Sequence, residues 1–214
     1  MRPIKNAKGI GMSFRFESAN CVAVGAFNIY IVQPHWLGVK GILPPDLELE
    51  IESSFDEPGF RFRSKDLQVK WVVTPTRIVI ETDRPDEDCG KIMADLLAFL
   101  PETPLKAIGN NTHFSCGRES LEVPEVPNFP SQDGLPGYDL KQRAFQFAVS
   151  SKNCVYSAQL TLTEEKAMLL TNAHGQISGN DGMKFAQNHA RGFLEHRQIS
   201  CDLAKHYLKV DFDV

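Results

Sequence analysis

Six acidic residues crowd one short stretch of the chain: Asp46, Glu48, Glu50, Glu52, Asp56 and Glu57. Carboxylate oxygens suit a hard cation or a basic partner. Their spacing directs a different reading. Glu48, Glu50 and Glu52 alternate with Leu47, Leu49 and Ile51, so on a strand the acids form a row along one face instead of converging on a point. Arg61, Arg63 and Lys70 follow closely enough to serve as cross-strand partners. The expectation is a charged, solvated strand face. His189 and His196 stand seven residues apart, with Cys201 and His206 nearby. On an unbroken helix seven residues separate two imidazoles by roughly 10 Å, too far to share one ion. No metal site is expected.

Nucleophile and phosphate motifs are equally thin. There is no Gly-x-Ser-x-Gly elbow, and Gly9-Ile10-Gly11 lacks the later glycine and lysine of the nucleotide-binding fingerprints. The five cysteines, Cys21, Cys89, Cys116, Cys154 and Cys201, contain no two-residue pair. That pattern suits reduced thiols in a cytoplasmic protein, with Cys21, Cys89 and Cys154 read as small buried hydrophobes. No catalytic residue and no cofactor is assigned.

Two constellations remain as binding candidates. Asn28, His35, Trp36, Asn110, Asn111 and His113 set polar groups and an indole beside apolar strands and could line a pocket. Bent backbone and a core-filling Trp36 are the competing reading. Arg61, Arg63, Lys65 and Lys70 lie near Phe60, Phe62 and Trp71, types that neutralise phosphates and stack bases. Strand parity places those aromatic and basic residues on opposite faces, so nucleic acid is not favoured.

The same stretch carries a resemblance. Phe27-Asn28, then Gln33-Pro34-x-Trp36-Leu37, then Thr103-Pro104-x-x-Ala107-x-Gly109-x-Asn111 resemble an uncharacterised group of prokaryotic proteins over most of residues 18–114. Ile29 stands where that group has proline. No activity is known for the group, so the resemblance implies no catalytic role.

The elements that position these residues follow from periodicity. Residues 18–32 read as a long strand, and Pro34 opens a short helix through Leu37. Residues 47–52, 60–63, 67–73 and 77–82 alternate with period two and predict an antiparallel meander. A helix is expected from Pro85 to Leu100, and a returning strand from Pro104 to Phe114. Pro124, Pro127, Pro130 and Pro136 exclude a central strand or ordinary helix between residues 117 and 138. Strands near 140–150, 155–162 and 166–177 follow, then helices over 181–196 and 202–208. The predicted fold is α+β, mostly antiparallel sheet with helices packed on one face. Its two β-then-α halves, 1–116 and 139–214, are joined by the proline-rich connector 117–138 or merged into one integrated domain.

The 214 residues, 42% hydrophobic, suffice for a sizeable core. A net charge of -4 supplies no global field for nucleic acid or anionic lipid. No apolar run is long enough to span a bilayer, and residues 1–16 lack the apolar stretch of a secretory signal. With chemistry motifs absent and sheet edges expected, the sequence points to a non-catalytic interaction or assembly component. Its expected partners are a second copy or another protein.

Overall fold

The computed structural model describes residues 13–44, 47–53, 58–64, 66–117, 142–163, 165–179 and 181–213. Lys65, Asp46, Asp56, Glu57, the glycines at 9 and 11 and the connector beyond Gly117 lie outside the described residues.

The strands are β1 (Ser13–Gly25), β2 (Leu49–Ser53), β3 (Phe60–Ser64), β4 (Val69–Val73), β5 (Arg77–Thr82), β6 (Leu105–Gly117), β7 (Gln142–Ser151), β8 (Cys154–Thr163), β9 (Lys166–Gln176) and β10 (Asp211–Asp213). The helices are α1 (Pro34–Val39), α2 (Cys89–Ala98), α3 (Gly182–Arg191) and α4 (Phe193–Leu208). Among the described residues the ten strands share one sheet in the order β2-β3-β4-β5-β1-β6-β9-β8-β7, with β10 paired in parallel to β1. Every other pairing is antiparallel. The β6–β9 ladder joins the strands on either side of the connector.

In β3, β4 and β5 the period-two stretches bury one set of side chains and leave the other more exposed. On β2, at the edge of the sheet, the expected buried face is not formed, and Ile51 is 61% exposed. Phe62, Val69, Trp71, Val73, Ile78 and Ile80 share a core with Ala19, Cys21, Ala23 and Ile108 of β1 and β6. Met93, Leu96 and Leu97 of α2, Ala186 and Ala190 of α3 and Phe193 of α4 close over them. A second cluster packs Leu160, Leu162 and Leu169 against Cys201 and Ala204 of α4. The opposite face carries Asn20, Val22, Val72, Val79, Asn111, Leu170 and Asn172, all partly exposed.

Several boundaries differ from the sequence reading. β1 begins earlier and ends at Gly25, where the amides of Ala26 and Phe27 turn to the carbonyls of Pro104 and Pro75 at 2.9 and 2.8 Å. The chain there leaves the ladder for a turn. α2 starts at Cys89, not Pro85, because the Asp88 side chain caps it by accepting from Lys91 N at 2.9 Å. The helix expected over 181–196 breaks at Gly192, and the piece expected at 202–208 is the end of α4. No helix among the described residues is long and apolar enough to cross a membrane.

Candidate functional site

The candidate residues fall in three places. Asn28 is exposed, and its Oδ1 accepts the Tyr30 amide at 3.0 Å, an Asx turn that shapes the loop after β1. His35 is exposed on α1, while Trp36 stands edge-on to Phe99 at 6.2 Å with the Lys40 ammonium 5.9 Å from its ring. Asn110, Asn111 and His113 lie mid-strand on β6, where alternation sends Asn110 to the helix side and the other two to the open face. Adjacent numbers are thus separated by the thickness of the sheet.

Asn111 belongs to a ladder that the sequence did not reveal. Its register partners are Asn20 on β1 and Asn172 on β9. Asn111 Nδ2 donates to Asn20 Oδ1 at 2.8 Å, and Asn172 Nδ2 donates to Asn111 Oδ1. Three carboxamides from three strands therefore run donor to acceptor across the middle of the open face. Among the described residues the ladder ends with a spare donor at Asn20 and a spare acceptor at Asn172. The same row continues through Glu81, Lys70 and Arg63 on one side and Ser157 on the other.

Two residues along each strand, the row becomes Ser18, His113, Leu170 and Gln159. These four line a groove of about 390 Å³, together with Thr161 and Met168. An exposed imidazole, a hydroxyl and a carboxamide thus face two apolar side chains. In the other direction Val72, Val79 and Val22 stand beside Gly109 in an apolar strip crossing four strands.

Arg61, Arg63 and Lys70 share this open face, near its β2 end, and line a second groove of about 380 Å³ with Glu50, Glu52 and Glu81. Lys70 Nζ sits 3.6 Å from Glu81 and Arg63 3.7 Å from Asp83. Exposed pairs of this kind stabilise little, but they cancel local positive potential. Phe62 and Trp71 are stacked at 5.2 Å on the buried side of the same strands. The strands offer these cations no aromatic ring on their own face on which a base could stack.

The helix side hides a second polar group. Asn110 Nδ2 donates to the His189 carbonyl at 3.3 Å, and its buried Oδ1 has no partner among the described residues. His189 Nε2 lies 3.1 Å from the Ala173 carbonyl, which can only accept, so Nε2 holds the proton. The break at Gly192 folds His196 back until the two imidazoles stack at 4.3 Å. His196 Nδ1 in turn meets the Tyr156 hydroxyl at 2.8 Å. A Cβ at position 192 would sit 3.1 Å from His196 Nε2, so a larger residue there would push the ring by a few tenths of an ångström. Among the described residues no three His, Cys, Asp or Glu side chains are grouped to hold a metal ion.

Burial, then the neighbouring His196, pulls His189 down from its usual 6.5 to about 4. Burial also lowers His196, against an opposing pull from Glu195. Desolvation first, then Cys154, pushes the Tyr156 hydroxyl up to about 12. A histidine whose folded pKa is depressed leaves stability untouched above the unfolded value and subtracts from it below, because the unfolded chain then binds more protons. Stability is therefore expected to fall as pH drops from about 6.5 to about 4, by on the order of 2 to 3 kcal/mol. Urea midpoints at pH 7 and 4.5 check this. The slope should flatten in His189→Gln, and an unchanged slope in that variant would contradict the assignment.

No protein-family model matches the chain, and no curated protein matches it at a significant level.

Proposed function

We propose that this chain is a non-catalytic interaction or assembly component of a prokaryotic cytoplasmic complex, and that it receives a protein partner on the open face of its sheet. The observation that supports this most is the open face itself. A preformed carboxamide ladder, Asn20–Asn111–Asn172, lies beside an apolar strip of Val22, Val72 and Val79. Aligned donors and acceptors next to apolar side chains match the amide-and-side-chain surface of another protein, and they hold no nucleophile–base pair.

In this reading the helices cover one face only, and the two strand-then-helix halves act as one slab behind the binding face. The five free, buried cysteines suit a reducing compartment.

Affinity purification of wild type and of a Val22→Glu/Asn111→Arg double variant, followed by mass spectrometry, tests the proposal. Both positions are only partly buried, so the fold should persist. A stoichiometric partner is expected with wild type, reduced at least tenfold with the variant. Equal recovery from both, with circular dichroism unchanged, would remove the open face as the contact.

A second reading rests on the groove around His113: a small polar ligand held by Ser18, His113 and Gln159. It predicts a ligand-dependent rise in melting temperature that His113→Ala abolishes. Nucleic-acid binding through Arg61, Arg63 and Lys70 has weaker support, for the reason of face given above.

A further inference from the structure

The carboxamide ladder on the open face stops one bond short at each end. Among the described residues Asn20 Nδ2 has no acceptor and Asn172 Oδ1 has no donor, and both side chains keep part of their surface open. A row with a spare donor at one end and a spare acceptor at the other is completed by an identical row running the opposite way.

A twofold axis laid along β6 at Asn111 supplies that opposite row. It stacks a second sheet face to face on the first and sets β1 over β9, β5 over β8 and β4 over β7, the strands that flank β6 in order on either side. Asn20 then faces Asn172 of the second copy, and Asn172 faces its Asn20. Packed sheets stand about 10 Å apart, the span of two facing carboxamides joined by one hydrogen bond. The two ladders close into a ring in which every asparagine donates to the next.

The neighbouring rows fit the same axis. Val79 faces Val155 of the second copy and Val22 faces its His174, while Gly109 faces Gly109, so no side chain blocks the centre. Val155 is 39% exposed in the single chain and gains an apolar cover. Glu81 faces Ser157 and Lys70 faces Ala148, so no charge in these rows meets its like. β2 and β3 have no counterpart beyond β6 and overhang the contact, which leaves Arg61, Arg63 and Glu52 outside it. The overlapping strands, β4 to β7 in sheet order, cover roughly 29 Å by 20 Å, on the order of 600 Å² a copy and within the lower range of specific interfaces.

Resting on the open-face reading, we propose that the partner received there is a second copy of this chain, stacked sheet on sheet about a twofold axis along β6. The valine strip and the asparagine ladder are buried together in the centre of the dimer, and the helices of both copies face outward.

Sedimentation velocity of the full chain over a concentration series tests this with charges placed on the axis. His113 shares β6 and the open face with Asn111 and is exposed, so His113→Lys and His113→Glu should leave the circular dichroism unchanged. Wild type is expected to dimerise. Each variant alone sets like charges face to face and should dimerise at least tenfold more weakly, and an equimolar mixture of the two should recover the dimer. Tyr207→Glu, exposed on the helix side, should dimerise as wild type does. A wild type that stays monomeric at high micromolar concentration overturns the proposal. So does a dimer that either His113 variant leaves unaltered, that the mixture fails to restore, or that Tyr207→Glu weakens equally. Affinity purification separates this from failure of the open face itself. A monomeric wild type that retains a different protein, lost in Val22→Glu/Asn111→Arg, keeps the face as a contact and removes the second copy from it; a monomer that retains none removes both.

Discussion

Gly90→Ala is expected to unfold the protein or to lower its stability by about 3 kcal/mol or more, although it adds one methyl group. A Cβ at this position would lie 2.0 Å from the Ala190 carbonyl oxygen and 2.3 Å from the Phe193 Cβ. Neither obstacle is the loose end of a flexible side chain. One is backbone at the end of α3, and the other is the root of a fully buried ring at the start of α4. Relief requires α2 to back away from both helices, opening the core around Met93, Ala94 and Leu97. Gly117→Ala, where nothing lies within 4 Å, is the matched control. Denaturant midpoints followed by circular dichroism compare the two. A loss below about 1 kcal/mol for Gly90→Ala would show that α2 is not seated this closely.

Trp71→Ala should cost about 3 to 5 kcal/mol, the range for emptying a large aromatic site in a packed core. Trp71 is 1% exposed and stacks on Phe62 at 5.2 Å, which stacks in turn on Phe60 at 6.0 Å. Removing the indole strips the face of Phe62 and leaves a void that β4, held between β3 and β5, cannot close by moving. Trp71→Phe should recover more than half of the loss. A Phe62→Ala/Trp71→Ala double variant should lose less than the sum of the two single variants, because each single change already destroys the stack. Full additivity would mean that the two rings act independently.

The parts of the fold legible in the sequence are those governed by neighbours along the chain. Phe60 and Phe62 against Arg61 and Arg63 announce both a strand and its faces, whereas Leu49 and Ile51 against Glu50 and Glu52 announce the strand alone, because β2 lies at the sheet edge and Ile51 stays exposed. Alternation is a local consequence of the pleat. The same parity separated the cations from the aromatic rings. What stayed hidden depends on partners far apart in sequence. No local pattern marks Asn20, Asn111 and Asn172 as a set; only the registers of β1 with β6 and of β6 with β9 align them. The six polar candidates near Trp36 and Asn111 failed to converge for a related reason. Three of them, Asn28, His35 and Trp36, sit at the turn and helix after β1, and consecutive Asn110 and Asn111 point through opposite faces of β6.

The histidine pair teaches the converse lesson. Seven residues on a straight helix would keep His189 and His196 about 10 Å apart, yet the rings stack at 4.3 Å because the helix stops and restarts at Gly192. A single glycine is tolerated in many continuous helices. Only the packing of α3 on β6, and of α4 on β8 and β9, turns it into a hinge.

The pairing of β1 with β10 bears on the order of events during synthesis. Arg15 lies in register with Asp213, and Ser13 Oγ donates to Asp213 Oδ1 across 200 residues. A nascent chain emerging from the ribosome can zip β1 to β5 and β6 while the rest is still being translated. Phe14, which is wholly buried beside Phe212, must wait with one flank bare until β10 leaves the exit tunnel. β1 is thus made before β5, β6 and β10 but is finished only when β10, some 200 residues later, joins it.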